Sequence, residues 1–127
     1  MGGGVYASGI AGLSFLKKHI QTLQGKKIIV FFDGASPYDE EAFRQTVEHN
    51  MTGDLRDIPC FYCRGAWDLD GMSFTDRNLC KLLIKSVGKK KPEDCAVWEK
   101  ALLEAGDQKC DWTSKALIEP IIEEIYR

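Results

Sequence analysis

Hydrophobic residues along the chain form two kinds of pattern, short unbroken runs and stripes at helical spacing. The run Ile28–Phe32 follows two lysines, is rich in β-branched and aromatic residues, and stops at Asp33-Gly34. A run of this kind is typical of a strand buried on both faces, which we place at residues 26–32. A second strand is predicted at 58–64, where Pro59 favours an edge of the sheet because proline donates no hydrogen bond.

Five further stretches have the three- and four-residue spacing of amphipathic helices. They begin near Ser8, Asp39, Ser73, Pro92 and either Asp111 or Thr113. The pattern predicts inward faces made of Ala42, Phe43 and Val47 in the second helix and of Leu79, Leu82, Leu83 and Val87 in the third. The segment Met51–Asp57 is predicted to be a polar loop.

Helices on both sides of a buried strand predict an α/β fold with a parallel sheet. In such sheets, ligands bind beyond the carboxyl ends of the strands. The segment Asp33–Tyr38 is therefore the first place to look for function. The sequence shows no catalytic triad, no glycosidase-like pair of acids and no metal-binding motif, so we assign no catalytic or metal-ligating residue.

Composition narrows the class of protein. With 127 residues, 44% of them apolar and 28% charged, one globular domain is expected. The formal net charge of −2 gives no electrostatic case for binding nucleic acid or an anionic membrane. No window has the roughly 18 apolar residues of a membrane span, and no secretory signal is visible. We expect a cytoplasmic protein.

The five cysteines include one C-x-x-C pair, Cys60 and Cys63. A redox pair of this kind needs a thiol at a helix N-terminus, which lowers its pKa. Here the pair falls in the predicted strand 58–64, where residues three apart point to opposite faces. The sequence therefore favours buried free thiols over a catalytic dithiol.

Three stretches together resemble a known family. These are Gly3–Ile10, the strand end Phe32-Asp33-Gly34-Ala35, and Ile58–Tyr62 followed by Arg64-Gly65-Ala66-Trp67-Asp68. Up to about Trp112 the chain resembles the flavodoxin-domain family, in particular short bacterial members related to menaquinone-dependent protoporphyrinogen oxidase. The resemblance implies a three-layer α/β/α fold with strands in the order 2-1-3-4-5 and FMN as the cofactor.

In the strand numbering of that family, the resemblance makes residues 2–6 the end of strand three, residues 26–32 strand four and residues 58–64 strand five. The resemblance implies one flavodoxin-like domain over residues 1–127, with a C-terminal helical extension at about 92–127. The strands that precede strand three in the family, and the loop that holds the FMN phosphate, have no counterpart in the sequence. The resemblance therefore implies an N-terminally incomplete domain that binds FMN weakly or not at all.

The same resemblance implies a set of flavin-contacting residues. They are Tyr6, Ala7 and Ser8 after the third strand, and Asp33, Gly34, Ala35, Ser36 and Tyr38 after the fourth. Each has a structural alternative: Ser8 as a helix cap, Asp33 as a turn former, and Tyr38 as a cover for the next helix. Beyond the fifth strand, Arg64 and Asp68 either touch a ligand or pair with one another, and Trp67 either covers the site or anchors packing.

Two functions stay open at this point. The first is an FMN-binding electron-transfer domain, an FMN-dependent oxidoreductase if it is an enzyme, with a redox partner protein or a quinone as its partner. The second is an interaction or assembly module that has the scaffold without the flavin. In either case the apolar strand 26–32 lacks a full set of neighbours, and an open edge favours pairing with a second copy. We therefore expect a homodimer.

Overall fold

The computed structural model describes residues 2–6 and 9–127 of the chain, with the side chain of Tyr6 outside the description. In chain order, the elements are β1 Gly2–Tyr6, β2 Gly9–Ile10, α1 Leu13–His19, β3 Val30–Gly34, α2 Glu40–Asn50, β4 Cys60–Arg64, β5 Ala66–Trp67, α3 Phe74–Val87, α4 Val97–Ala105, β6 Cys110–Asp111 and α5 Glu119–Tyr126. Short 3₁₀ turns cover Gly53–Leu55, Pro92–Asp94 and Lys115–Ile118. Each predicted helical stretch contains one of these α-helices.

The main sheet has four strands in the order β2-β1-β3-β4. β1 runs parallel to β3, and Gly2, Gly3 and Gly4 stand opposite Phe31, Phe32 and Asp33. The expected α/β fold is confirmed, and so is the edge position of β4. The sheet is mixed rather than wholly parallel, because β2 turns back and pairs antiparallel with β1, Val5 opposite Ile10.

The first helix begins later than the sequence pattern predicts. Gly12, with a left-handed backbone (φ 89°), is the residue before α1, a conformation that glycine adopts without steric cost. Ahead of it, Gly9 and Ile10 form β2, and the Ile10 N–H donates to the buried Asn50 Oδ1 at 3.0 Å. This pairing removes residues 9–10 from the predicted helix. The proposed cap Ser8 lies outside the described residues.

The central strand is shifted toward its carboxyl end. The prediction was 26–32, whereas β3 covers Val30–Gly34. Hydrogen bonding explains the difference, since β1 first meets this strand at Phe31 and the Val30 N–H donates to the Pro59 carbonyl at 3.0 Å. Val30 and Phe32 are buried, while Phe31 between them is half-buried. The prediction of full burial on both faces was therefore wrong for Phe31.

Helix α2 begins as predicted. The side chain of Asp39 accepts a hydrogen bond from the Ala42 N–H at 2.8 Å, which satisfies one of the free donors of the first turn. Phe43 and Val47 pack against the core below, as their spacing predicts. Ala42 is exposed, so its predicted inward position was wrong.

The chain forms two compact units. Unit 1 comprises residues 1–34, 38–63 and 114–127, and unit 2 comprises 35–37 and 64–113. The core of unit 1 consists of Ile10, Leu13, Leu16, Val30, Phe32, Met51 and Leu55. Met51 and Leu55 come from the segment Met51–Asp57, which was predicted to be a polar loop. That prediction was wrong for these two core residues. The single domain over 1–127, with its extension at about 92–127, stays a prediction.

Unit 2 has its own core and its own small sheet. Its core consists of Trp67, Leu69, Val87, Cys95, Leu102 and Ala105. β5 pairs antiparallel with β6, Ala66 opposite Asp111 and Trp67 opposite Cys110. The sequence pattern did not reveal these two-residue strands, because the pairing joins positions more than forty residues apart.

Helix α3 in unit 2 faces its core differently from the prediction. Ser73 caps it as expected, accepting from the Asp76 N–H at 3.2 Å. Cys80, Ile84 and Val87 contact the core, whereas the predicted inward residues Leu79, Leu82 and Leu83 are exposed. Only Val87 of the predicted face is buried.

One buried carboxylate in unit 2 is neutralised by a lysine. Glu99 is 4% exposed, accepts a hydrogen bond from Lys90 Nζ at 2.7 Å, and also accepts from the Ala96 N–H at 3.1 Å. The hydrogen bond from Lys90, followed by that from the Ala96 N–H, holds the pKa of Glu99 below its ordinary value. The hydrogen bond to Glu99 raises the pKa of Lys90.

Truncating Leu55 tests its assignment to the core. Because Leu55 is 1% exposed, we expect Leu55→Ala to lower the free energy of unfolding by about 2–5 kcal/mol, measured by urea unfolding. Leu82→Ala, on the exposed face of α3, is the matched control, with an expected change within about 0.5 kcal/mol. A larger loss from Leu82→Ala than from Leu55→Ala would contradict the packing described here.

The Glu99–Lys90 pair predicts a pH dependence. Since the pKa of Glu99 is lower in the folded than in the unfolded chain, its contribution is present above the unfolded pKa and is lost as pH falls through the folded pKa. Glu99→Gln keeps an acceptor for the Ala96 N–H and loses the charge. On acidification below about pH 4.5, we expect the unfolding temperature of Glu99→Gln to fall less than that of the unmodified chain. Glu104→Gln, at an exposed glutamate, is the control, and its unfolding temperature is expected to follow that of the unmodified chain.

Candidate functional site

The carboxyl ends of β1 and β3 meet at one edge of unit 1. The parallel register sets Gly4 beside Asp33, and a methyl group added to Gly4 would lie 3.6 Å from Asp33 Oδ1. Asp33 is exposed at the end of its strand. The structure thus places the carboxyl ends of β1 and β3 side by side, and parallel sheets bind ligands beyond such ends.

The first group of predicted contact residues lies largely outside the description. Tyr6 is the last residue of β1, and its backbone pairs with Gly9 of β2. The side chain of Tyr6 and the residues Ala7 and Ser8 lie outside the described residues. Their assignment as flavin contacts stays a prediction.

Two residues of β4, Tyr62 and Cys63, lie near Gly34 and Asp33 and were not among the predicted flavin contacts. A methyl group added to Gly34 would lie 3.2 Å from the Tyr62 hydroxyl oxygen, so the backbone at Gly34 is approached closely by this side chain. The negative charge of Asp33 adds to the effect of burial in raising the pKa of the Cys63 thiol. The alternation of side chains along a strand next to β3 is the signal that could have indicated Tyr62.

Tyr38 packs against helix α2 within unit 1. Its ring centroid lies 5.7 Å from that of Phe43, at a tilt of 47°. It lines an open cavity of about 430 Å³, together with Glu40, Phe43, Arg44, Val47 and Glu48. Arg44 is held there by Glu41 at 2.6 Å and Glu48 at 2.8 Å. This arrangement favours the role of Tyr38 as a cover for α2.

Ala35, Ser36 and Pro37 belong to unit 2, where an arginine fixes their position. Arg64 Nε donates to the Ala35 carbonyl at 3.0 Å. Its guanidinium carbon lies 3.9 Å from the centre of the Trp112 ring, within the range of a cation–π contact. Ala35 also packs against the core of unit 2. Arg64 thus positions the segment that follows β3.

Asp68 and Trp67 also have structural partners in unit 2. Asp68 pairs with Lys109 at 3.2 Å and accepts from the Gly71 N–H at 3.1 Å, which lowers its pKa. The alternative that Asp68 pairs with Arg64 was therefore wrong. Trp67 is buried, and its Nε1 donates to the Gly106 carbonyl at 2.9 Å. Of the two alternatives for Trp67, these contacts favour the one in which it anchors packing.

The C-x-x-C thiols are not activated. Burial raises the pKa of Cys60 to about 11, and burial also raises the pKa of Cys63. Both are free and half-buried in β4, and Cys63 Sγ donates to the Leu117 carbonyl at 3.5 Å. A thiol with a raised pKa holds little thiolate at neutral pH, so the structure supports the prediction of inert free thiols.

Metal-binding clusters and membrane-spanning helices are both absent from the described residues. No group of three or more His, Cys, Asp or Glu side chains there is placed to hold a metal ion. No helix in the described part of the chain is long and apolar enough to cross a bilayer.

Comparison with known proteins gives one match. A family model described as a flavodoxin domain matches residues 1–94, from the start of β1 through α3 to the 3₁₀ turn that follows it. No curated protein and no solved structure shows significant similarity to the chain. The match covers the strand ends of unit 1 and the segment held by Arg64.

Replacing Arg64 by lysine tests its positioning role. Lysine keeps the charge but loses the planar Nε donor and the stacking surface. We expect Arg64→Lys to lower the free energy of unfolding by about 1–2 kcal/mol, with a change in Trp112 fluorescence. The control is Arg56→Lys, at an exposed arginine. Equal stability of the two variants would contradict this role.

Proposed function

The chain belongs to the flavodoxin domain family, and on this premise we propose that it binds FMN and carries electrons. Members of this family generally bind FMN. The observation that carries the proposal is the parallel pairing that sets Gly4 beside Asp33 at the carboxyl ends of β1 and β3. A planar ring placed beyond these ends would meet the backbone at Gly4, beside the Asp33 carboxylate, and at Gly34, beside the Tyr62 hydroxyl.

The proposed contacts divide by chemistry. Tyr6 stacks on the flavin ring, since Tyr38 already packs against Phe43. The backbone at Gly34 hydrogen-bonds to the flavin, and the Asp33 carboxylate supplies a negative charge beside it. Ala7, Ser8, Ala35 and Ser36 stay flavin contacts predicted from the family resemblance. FMN supplies the redox chemistry when it is bound, while the chain orients it and sets its electrostatic surroundings.

At the ends of β1 and β3, the phosphate group of FMN has fewer favourable contacts than the flavin ring. Flavodoxins hold this phosphate with backbone N–H groups of a glycine- and hydroxyl-rich loop at a helix N-terminus. The edge formed by β1 and β3 offers a carboxylate, Asp33, which repels a phosphate rather than holding it. We therefore propose that the binding energy comes from the ring and that the affinity is modest.

A pair of titrations tests this proposal. The purified full chain is titrated with FMN and, separately, with riboflavin, which has the same ring without the phosphate. We expect saturable quenching of flavin fluorescence at micromolar concentration and dissociation constants that agree within about threefold. Tyr6→Ala weakens both, whereas Tyr126→Ala, at an exposed tyrosine of α5, leaves both unchanged.

The other outcomes are equally informative. Absence of quenching by either flavin contradicts the proposed function. A preference for FMN of about tenfold or more contradicts binding by the ring alone and indicates that the chain grips the phosphate. Quenching that Tyr6→Ala does not change removes Tyr6 from the site while leaving flavin binding in place.

A second candidate function is a flavin-free interaction module. It is favoured by the sheet order, in which the outer strands β2 and β4 each have one strand neighbour among the described residues. Free strand edges pair readily with another chain, so this function predicts a homodimer at micromolar concentration. A monomeric mass by light scattering, together with saturable flavin binding, rules it out. A redox partner protein, a quinone or a porphyrinogen as the substrate stays a prediction of the family resemblance.

A further inference from the structure

The outer face of α3 exposes a row of leucines. Leu79, Leu82 and Leu83 are 48%, 65% and 40% exposed, and Phe74 at the start of the helix is 78% exposed. Residues three and four apart lie on the same side of a helix, so the three leucines form one apolar stripe. The other side of α3 is occupied, since Cys80, Ile84 and Val87 pack into the core of unit 2. The apolar stripe therefore takes no part in packing α3 against the core of unit 2.

After Asp76 in its first turn, α3 and the turn that follows it carry charge of one sign. Residues 77–91 contain no aspartate or glutamate and six basic residues: Arg77, Lys81, Lys85, Lys89, Lys90 and Lys91. Two of these are used internally, because Arg77 donates to the carbonyls of residues 69, 70 and 72 and Lys90 pairs with Glu99. In the part of the chain that the structure describes, the other four form no ion pair. The overall net charge of −2 conceals this local excess of positive charge.

We propose that the outer face of α3 docks on the surface of a membrane that contains anionic lipids. The leucines of the apolar stripe enter the boundary between headgroups and acyl chains, while Lys81, Lys85, Lys89 and Lys91 reach the lipid phosphates. Lysine suits this position because its apolar stem lies along the hydrocarbon and its ammonium group stays with the headgroups. The attraction of the ammonium groups to anionic headgroups adds to the apolar contact and is weakened by salt.

Charge complementarity favours an anionic membrane over a second copy of the chain or a protein partner on this face. A second copy of the chain would bring two sets of unpaired lysines against one another, and like charges across an interface disfavour association. A protein partner would need a matched acidic groove, whereas a bilayer adapts to the convex surface of one helix. The proposal does not depend on flavin binding, since it rests on residues of unit 2 outside the predicted contact set.

Vesicle co-sedimentation of the full chain tests the proposal. The probes are vesicles of phosphatidylcholine alone and vesicles of phosphatidylcholine mixed with phosphatidylglycerol, at low and high salt. We expect binding to the anionic vesicles that weakens with salt, and little binding to the neutral vesicles. Leu82→Ser is expected to weaken partitioning roughly tenfold or more, and the double variant Lys81→Glu/Lys85→Glu is expected to abolish it.

Matched controls separate this face from general effects. Tyr126→Ser removes an exposed apolar side chain from α5, and Lys17→Glu/Lys18→Glu reverses two exposed charges at α1. Both controls are expected to bind like the unmodified chain. Circular dichroism confirms that each variant is folded, and the charge variant keeps the proposal testable if Leu82→Ser does not fold.

Four outcomes would overturn the proposal. They are absence of binding to anionic vesicles at low salt, equal binding to neutral vesicles, binding that Leu82→Ser leaves unchanged, and equal weakening by the control variants. A dimer that Leu82→Ser converts to monomer would instead assign the stripe to a second copy and would also overturn it.

Discussion

The parallel pairing of β1 with β3 is the constraint on which the proposed ligand site depends. Phe31 lies over Gly2 so closely that a side chain at this position would collide with the ring. The missing side chain at Gly2 thus leaves room for the Phe31 ring in the register that places Gly4 beside Asp33. A one-residue slip would move every following residue of β1 to the other face of the sheet. The position of Tyr6 at the end of β1 follows from the same register.

The sequence pattern predicted the elements better than it predicted their ends and partners. Five helices and the edge position of β4 could be predicted, because periodicity and Pro59 are local signals. The strands β2, β5 and β6 could not, since each is only two residues long. β5 and β6 also form only through pairing with one another across more than forty residues, whereas β2 pairs with the neighbouring strand β1. Leu55 was assigned to a loop because its neighbours are polar, although it is almost completely buried.

Helix α3 shows why periodicity alone does not decide which face is buried. Leu79, Leu82 and Leu83 form one apolar stripe, but Cys80, Ile84 and Val87 have the same helical spacing and form another. The first stripe consists of three leucines, whereas the second combines Ile84 with the smaller Cys80 and Val87, so the pattern favours the wrong face. The core of unit 2 instead takes the second stripe. A helix with two apolar faces and one core therefore presents the second face to its surroundings.

The candidate site stays a prediction, although part of its surroundings is now described. The sequence pointed to the segment Asp33–Tyr38, and the structure places Asp33, near the end of β3, beside Gly4 of β1. It could not show that Arg64 fixes Ala35, because that contact joins a guanidinium to a backbone carbonyl 29 residues away. Nor could it show that Tyr38 packs against Phe43. With Tyr38 held by a structural contact, the described residues of unit 1 present at these strand ends the backbone of Gly4 and Gly34, the Asp33 carboxylate and the Tyr62 hydroxyl. This set suits a flat, uncharged ring better than an anion, which is why the ring rather than the phosphate of FMN is expected to dominate binding.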